Sequence, residues 1–416
     1  MNILLTGAIS LSNKGTAAIV ISVITMLKKA FPNSKICIEL FYPEKQRMII
    51  DIEKEYGVNV VSPLVQSPLK AILLFLLAIL ILPFRKLGIK SLNIKKLEHY
   101  ENTDVIIDIS AEGFVRFYDE SYIQTAIRFL LHLYPVLMGL ILKKPVVLLA
   151  QSLAPFGIFR LVMKYVIKNS ALVTIRDPMS IENLKKEGID VSKIYLTADP
   201  AFLLDIAPDN KVYTILKSEG IDLDIFRKKK VIGICAGKVL SHEKHKKLVK
   251  VLAEVADSLI EKYGFAVVFI PHSSGKIRKT SDDNIVGISI MKHVKNKMNF
   301  YLIKGDYTPQ ELKGIIGKLD CLVSLRMHPV ISASSMKVPS VIIAFNPKAY
   351  GLMKMLGLDN NVIHEDEVQA ELLVASIIRC LRDGQRVRST LDNVLPRIRE
   401  RALMNMRLLA EILNGQ

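Results

Sequence analysis

The stretch Cys321-Leu-Val-Ser-Leu-Arg-Met-His-Pro-Val-Ile-Ser-Ala-Ser-Ser-Met-Lys-Val-Pro-Ser-Val-Ile-Ile-Ala-Phe345 reads as strand, polar turn, helix and strand in succession. Cys321 to Leu325 is a short apolar run, and Arg326 and His328 stand where it ends. Pro329 suits the first turn of a helix, where its missing N–H is not needed. Val330 to Met336 carry the helix, Lys337-Val-Pro339 stops it, and Ser340 to Phe345 starts another buried strand. In an open α/β sheet, ligands bind just beyond the carboxyl ends of the strands. An arginine and a histidine two residues apart at such an end, beside a helix N-terminus, suit an anion. Arginine grips a phosphate or carboxylate at two points, and histidine can donate a proton near neutral pH. The alternative is structural: Arg326 closes a loop and His328 is a satisfied turn residue.

The surrounding chain repeats this rhythm. Apolar runs at Asn2–Thr6, Lys35–Phe41, Asn59–Val61, Asp104–Ser110, Pro145–Ala150, Ala171–Ile175 and Lys193–Leu196 alternate with helical stretches. A second series follows at Val231–Ala236, Phe265–Ile270, Asn299–Leu302 and the two strands already quoted. Strands alternating with helices imply a mostly parallel, doubly wound sheet. Between the two series, Leu204 to Lys230 is rich in charge and holds Pro208, Asp209, Asn210 and Gly220. The expected organisation is therefore two α/β domains facing a cleft. They span 1–205, with an apolar insertion at about 68–90, and 231–393, joined by a link at 206–230. A C-terminal helix at 394–416 is expected to brace the first domain.

Composition narrows the partners. At 416 residues the chain is long for one core, and half its residues are apolar, which excludes a disordered protein. Lys plus Arg exceed Asp plus Glu by 57 − 40 = 17, which favours anionic partners. The chain lacks Trp and has no basic run interleaved with aromatics, so nucleic acid is the weakest of these. Cys37, Cys235, Cys321 and Cys380 have no paired spacing, so buried free thiols in a reducing compartment are expected and no zinc pattern exists. The N-terminus runs straight into an apolar strand without a basic leader, so no secretion signal is expected. Ala71 to Leu82 is apolar all round, flanked by Lys70, Arg85, Lys86 and Lys90. A spanning helix needs about 20 apolar residues, so this one is either a fully buried helix or dips into a bilayer surface, held by its cations. The second option, peripheral contact with an anionic membrane from the cytoplasmic side, is the expectation.

Polar groups collect where strands end. Gly7 to Gly15 links the first strand to a helix, without either standard phosphate-binding fingerprint; Asn13, Lys14 and Gly15 either cap a tight turn or present donors to an anion or sugar. Asp108, Ser110 and Glu112 follow one strand, Gln151 another, and Arg176 and Asp177 a third. His132 reads as packed or interfacial, and His242 and His245 as a solvated face among lysines. His272 at a strand end is the better candidate, as are Asn346 and Lys348 after the last quoted strand. Thr308-Pro-Gln-Glu311 is a capping box.

Together these pieces resemble the polysaccharide pyruvyl transferase family: Asn13-Lys-Gly15, Asp108-Ile-Ser-Ala-Glu-Gly-Phe114, Ala150-Gln-Ser-Leu-Ala-Pro-Phe156, Thr174-Ile-Arg-Asp-Pro-Met-Ser180, Asp199-Pro200, Ser324-Leu-Arg-Met-His328 and Asn346-Pro-Lys348. The chain departs from that pattern at Ala111, where the family usually carries Gly, at Pro329, where it commonly carries Ala, and in the insertion at Ala71 to Leu82. The resemblance implies two Rossmann-like, doubly wound domains of the glycosyltransferase-B type. It also implies phosphoenolpyruvate as donor, a sugar or lipid-linked glycan as acceptor, a pyruvate ketal as product, and neither metal nor a further cofactor. His328 and Arg326 would carry the chemistry. Arg176, Arg326, His272, Asn346 and Lys348 would hold the donor. Asn13, Lys14, Gly15, Asp108, Glu112 and Gln151 would face the acceptor. Two other functions fit the same fold: a glycosyltransferase using a nucleotide sugar, and a non-catalytic glycan-binding protein at the membrane surface.

Overall fold

A computed structural model describes residues 1–41, 47–63, 98–115, 121–238, 242–275, 282–345 and 347–414. The chain divides into two compact units. The first holds Met1–Leu11, Ile19–Pro200 and Arg401–Gln416; the second holds Ser12–Ala18 and Ala201–Glu400.

The first unit is built on β1 (Asn2–Ala8), β2 (Lys35–Leu40), β3 (Asn59–Val61), β4 (Val105–Asp108), β5 (Val146–Gln151), β6 (Leu172–Ile175) and β7 (Ile194–Leu196). These form one 7-stranded sheet in the order β3-β2-β1-β4-β5-β6-β7. The second unit carries β8 (Val231–Cys235), β9 (Ala266–Phe269), β10 (Phe300–Leu302), β11 (Cys321–Ser324), β12 (Ser340–Ala344) and β13 (Val362–His364). Its 6-stranded sheet runs β10-β9-β8-β11-β12-β13. Every pairing described is parallel. The central strands are continuous apolar runs buried throughout, as helices on both faces of a sheet require. In each sheet the strand order reverses direction at one place, between β1 and β4 and between β8 and β11. Such a reversal opens a crevice at the carboxyl ends, where doubly wound proteins place their ligands.

Helices seal both sheets. In the first unit, Tyr122–Ile141 starts at a capping box made by Ser121 and Gln124 and buries Phe129, Leu133 and Val136 in the core. In the second, His242–Glu261 contributes Leu252, Val255 and Leu259, and the capping box of Thr308 and Glu311 forms as the sequence predicts.

Several elements differ from the sequence reading. The stretch 206–230, read as a link, folds into the helices Asp209–Ser218 and Ile225–Lys228. Its charges lie outside a helical stripe of Val212, Ile215 and Leu216, which packs into the second unit's core. Strand β13 differs from the sequence reading too: its Val362-Ile-His364 ends on an exposed histidine and gives no apolar run. The C-terminal helix begins at Gly384 rather than 394 and runs to Asn414 with Pro396 inside it. Its buried Asn405 accepts from Thr174 Oγ1 at 2.6 Å and Thr197 Oγ1 at 2.9 Å, and donates to the carbonyl of Ala198 at 3.0 Å. One amide thus ties that helix to the ends of two strands of the first unit. The apolar insertion at 68–90 and Asn346 lie outside the described residues.

Candidate functional site

In the second unit the crevice between β8 and β11 gathers the candidate residues. Arg326 is the N-cap of the helix Met327–Ser335, extended at φ −112° and ψ 143°, so His328 falls in the first helical turn. The hydroxyl of Ser324 holds this corner, accepting from Arg326 N at 3.0 Å and donating to Arg326 O at 2.7 Å. Both candidate side chains rest on glycines. A Cβ at Gly237, just past β8, would sit 2.5 Å from Arg326 Nη2, and one at Gly15 would sit 2.3 Å from His328 Nδ1. No larger residue leaves room for the guanidinium or the imidazole where they now lie.

Asp283 fixes the arginine. Its Oδ1 accepts from Arg326 Nη2 at 2.6 Å and its Oδ2 from the backbone N–H of His272 at 3.0 Å. Asp283 is buried, and burial pushes its carboxyl up although Arg326 pulls it the other way. Arg326 keeps a partly exposed side chain, and its Nε is buried without a hydrogen-bond partner among the described residues. His272 is buried with Nδ1 3.8 Å from Cys235 Sγ. Burial, and then the charge of Arg326, push its imidazole down to about 3, so it is neutral. His272, expected on the donor side, is a packed neutral ring whose backbone amide donates to Asp283. Cys235 is likewise a buried, protonated thiol, its pKa driven up chiefly by burial.

The loop before the first helix joins this same crevice. Asn13 pairs with Ser273 in an antiparallel bridge, Lys14 N–H donates to His272 O at 3.0 Å, and Ser274 N–H donates to Ser12 O at 3.2 Å. The side chain of Asn13 caps the helix Lys14–Ala30, its Oδ1 accepting from Gly15 N–H at 3.0 Å. Lys14 is buried and ion-paired to Asp306. Asn13, Lys14 and Gly15, assigned by the sequence to the acceptor side with the first domain, thus belong with Arg326 and His328 in the second unit. The reason is short-range: two backbone hydrogen bonds, at Ser12 O and Lys14 N–H, add a strand-like edge to the loop after β9. Lys348 lies in the first turn of the helix Pro347–Met355, beyond the carboxyl end of β12.

The first unit has its own polar cluster at the reversal between β1 and β4. Asp108 is fully buried, and its Oδ1 accepts from Ser110 Oγ at 2.6 Å, Ser110 N–H at 3.1 Å and Gln151 Nε2 at 2.9 Å. Its Oδ2 lies against Gly7, where a Cβ would approach to 2.5 Å. Burial raises this carboxyl to about 7, the hydrogen bonds from Ser110 and Gln151 opposing. Arg176 is spent within this unit: Nη1 on Asp199 at 2.5 Å, Nη2 on Glu112 at 3.2 Å and Nε on Ser152 Oγ at 3.0 Å. Two carboxylates neutralise it, so the structure gives Arg176 the role of organising strand ends rather than an open grip on a donor. Arg128 holds the turn after β4 through the carbonyls of Glu112, Gly113 and Val115. His132 is a buried ring edge-on to Phe41 and Phe114, its pKa pushed down to about 3 chiefly by burial.

Sequence reasoning missed Asp283, Asp306 and Gly237. Asp283 directly follows Asp282, which caps the helix Asp283–His293, accepting from Asn284 N–H at 3.0 Å. Among the described residues no group of three or more His, Cys, Asp or Glu side chains could hold a metal ion.

Known proteins place this architecture. In fold the chain is similar to UDP-GlcNAc 2-epimerase from Neisseria meningitidis bound to UDP-GlcNAc, with a TM-score of 0.59 at 16% identity over 100% of both chains. It is also similar to S. aureus MnaA in a co-structure with UDP, with a TM-score of 0.61 at 12% identity over 94% of this chain and 91% of that one. These likenesses show the two-domain α/β fold of the glycosyltransferase-B type. In sequence the chain is 24% identical over 312 residues to the amylovoran biosynthesis protein AmsJ of Erwinia amylovora, covering 72% of this chain and 67% of that protein. The family profile for polysaccharide pyruvyl transferase matches residues 13–347, from the loop that carries Lys14 and Gly15 to the start of the helix that carries Lys348. With most of its length inside that match, the Arg326–His328 corner included, the chain belongs to the polysaccharide pyruvyl transferase family, a family of transferases.

Proposed function

We propose that the protein moves the pyruvyl unit of phosphoenolpyruvate onto a sugar of a polysaccharide or its lipid-linked precursor, forming a cyclic ketal. The observation that carries this reading is the placement of one guanidinium and one imidazole on the first turn of a single helix, at the sheet reversal of the second unit. Arg326, aimed by Asp283, binds the donor's anionic groups, with the N–H groups of the helix start beside it. His328, in its protonated form, gives a proton to the terminal CH₂ carbon, which becomes the methyl group. The neighbouring carbon turns electrophilic. One sugar hydroxyl adds there, the C–O bond to phosphate breaks, and the second hydroxyl adds to close the ring. Two hydroxyl protons are released; one restores His328 and the other leaves with phosphate.

The test is incubation with phosphoenolpyruvate and candidate glycans, following phosphate release and the mass of the glycan. Phosphoenolpyruvate at 100 times its Kd should also stabilise the protein by about 2.7 kcal/mol. Stabilisation by UDP instead, with no phosphate released, refutes the proposal in favour of a nucleotide-sugar enzyme.

A further inference from the structure

From Ser121 to Arg176 the chain contains no Asp or Glu at all, but it carries Arg128, Lys143, Lys144, Arg160, Lys164, Lys168 and Arg176. Within that acid-free block lies the helix Arg160–Asn169, whose outer face is divided in a regular way. Met163, Val166 and Ile167 point into the core. On the opposite side Leu161, Val162 and Tyr165, with Ile158 just before them, form a stripe at helical spacing that stands in solvent; Ile158 and Leu161 are each 77% exposed. Lys164 and Lys168, one turn apart, run alongside this stripe and are exposed. The neighbouring helix starts with Tyr122 and Ile123, 67% and 74% exposed, and the two elements meet where Phe129 stacks on Phe159 with centroids 4.7 Å apart.

Scattered apolar residues on a surface need no explanation, but a row of them on one helix face does. A soluble protein partner would ordinarily be met by both signs of charge. Here the helix itself borders the apolar row with Lys164 and Lys168 and carries no acid, Glu187 standing only beside its first residue, Arg160, which is the pattern of a helix that lies in the interface of an anionic bilayer. We propose that the face of Ile158, Leu161 and Tyr165, with Lys164 and Lys168, docks onto an anionic membrane, its apolar side chains entering the acyl boundary and its lysines meeting the phosphate headgroups. The residues of this surface are not those of the apolar insertion at 68–90. It goes beyond the proposed reaction, since it concerns where the enzyme works and not what it does.

The experiment is co-sedimentation of the full chain with vesicles of phosphatidylcholine containing 30% phosphatidylglycerol, against phosphatidylcholine alone. The wild-type chain should partition to the acidic vesicles and be released as salt rises. Lys164→Gln with Lys168→Gln should weaken partitioning about 25-fold, at about fivefold for each charge lost near the surface. Ile158→Ser with Leu161→Gln and Tyr165→Ser should abolish it, with thermal midpoints unchanged because these side chains are solvated in the free protein. Failure of the wild-type chain to bind, or retention of binding by either variant, overturns the proposal. So does a drop of several degrees in the midpoint of the apolar variant, or a smaller mass in solution for that variant than for the wild-type chain; either would mean that protein, not lipid, covers this face.

Discussion

Replacing Gly15 by alanine separates local helix preference from the geometry of the site. Gly15 lies in the first turn of the helix Lys14–Ala30 with an ordinary backbone, so propensity alone favours alanine by about 1 kcal/mol. The structure predicts the reverse. The new methyl would lie 2.3 Å from His328 Nδ1 and 2.6 Å from its Cγ, where ordinary contact begins near 3.4 Å. The ring must therefore retreat by about 1 Å. Overpacking of this size costs typically 1–3 kcal/mol, and a shift of about 1 Å in a reacting group costs about 10²-fold in rate. Gly15→Ala should therefore lower turnover about 10²-fold and leave stability unchanged or reduced. In a His328→Ala background the obstacle is gone, and the same substitution should stabilise the protein by about 1 kcal/mol. Chemical unfolding of the four variants gives the coupling energy directly. Equal stability changes in the two backgrounds, or turnover within twofold of the parent, would refute the claim that Gly15 is the seat of the imidazole.

Four further outcomes follow from the same geometry. His328→Gln should cut turnover by about 10²–10⁴-fold while donor-induced thermal stabilisation persists, as expected for loss of a proton donor alone. Asp283→Asn removes the charge that aims Arg326 and should raise the KM for the donor more than it lowers kcat; a change in kcat alone would contradict that positioning role. Asp108 is about 7 in the folded chain against 3.8 unfolded, so its contribution is greatest at low pH and is lost as pH rises through that interval, by about (7 − 3.8) × 1.36 ≈ 4 kcal/mol in all. Asp108→Asn should therefore gain on the wild type between pH 5 and pH 8 in urea unfolding, and parallel pH profiles would exclude it. Ala111 sits at φ 62°, in the left-handed region, so Ala111→Gly should raise stability by about 0.5–1 kcal/mol in the same assay.

How far the sequence could be read depended on the range of the interactions involved. Continuous apolar runs such as Val231–Cys235 and Cys321–Ser324 declare buried parallel strands by themselves, and Thr308 and Glu311 declare a helix start, because the physics is local. The strand-to-helix corner at Arg326 and His328 was legible for the same reason: a strand end and a proline in the first turn lie within a few residues. What escaped was set by partners far along the chain. Lys14 meets Asp306 and Arg326 meets Asp283, and no periodicity signals either pairing. Arg176 looked like a second copy of Arg326 because both follow a strand and precede a proline-bearing helix. Asp199 and Glu112, which neutralise it, are 23 and 64 residues away. The charged stretch 206–230 misled because composition was weighed above the Val212, Ile215, Leu216 stripe.

The assignment of Ser12–Ala18 to the second unit has a consequence for how such enzymes can evolve. A recombination event that transplanted only the block 201–400 would carry Arg326, His328, Asp283 and Asp306 into a new host but leave Lys14 and Gly15 behind. Asp306 would arrive without its ammonium partner, and the His328 ring would face whatever residue the recipient supplied in place of Gly15. The second unit is therefore not a cassette: exchange can preserve it only if a seven-residue splice near the other end of the gene travels with it, so its inheritance is tied to the start of the first unit.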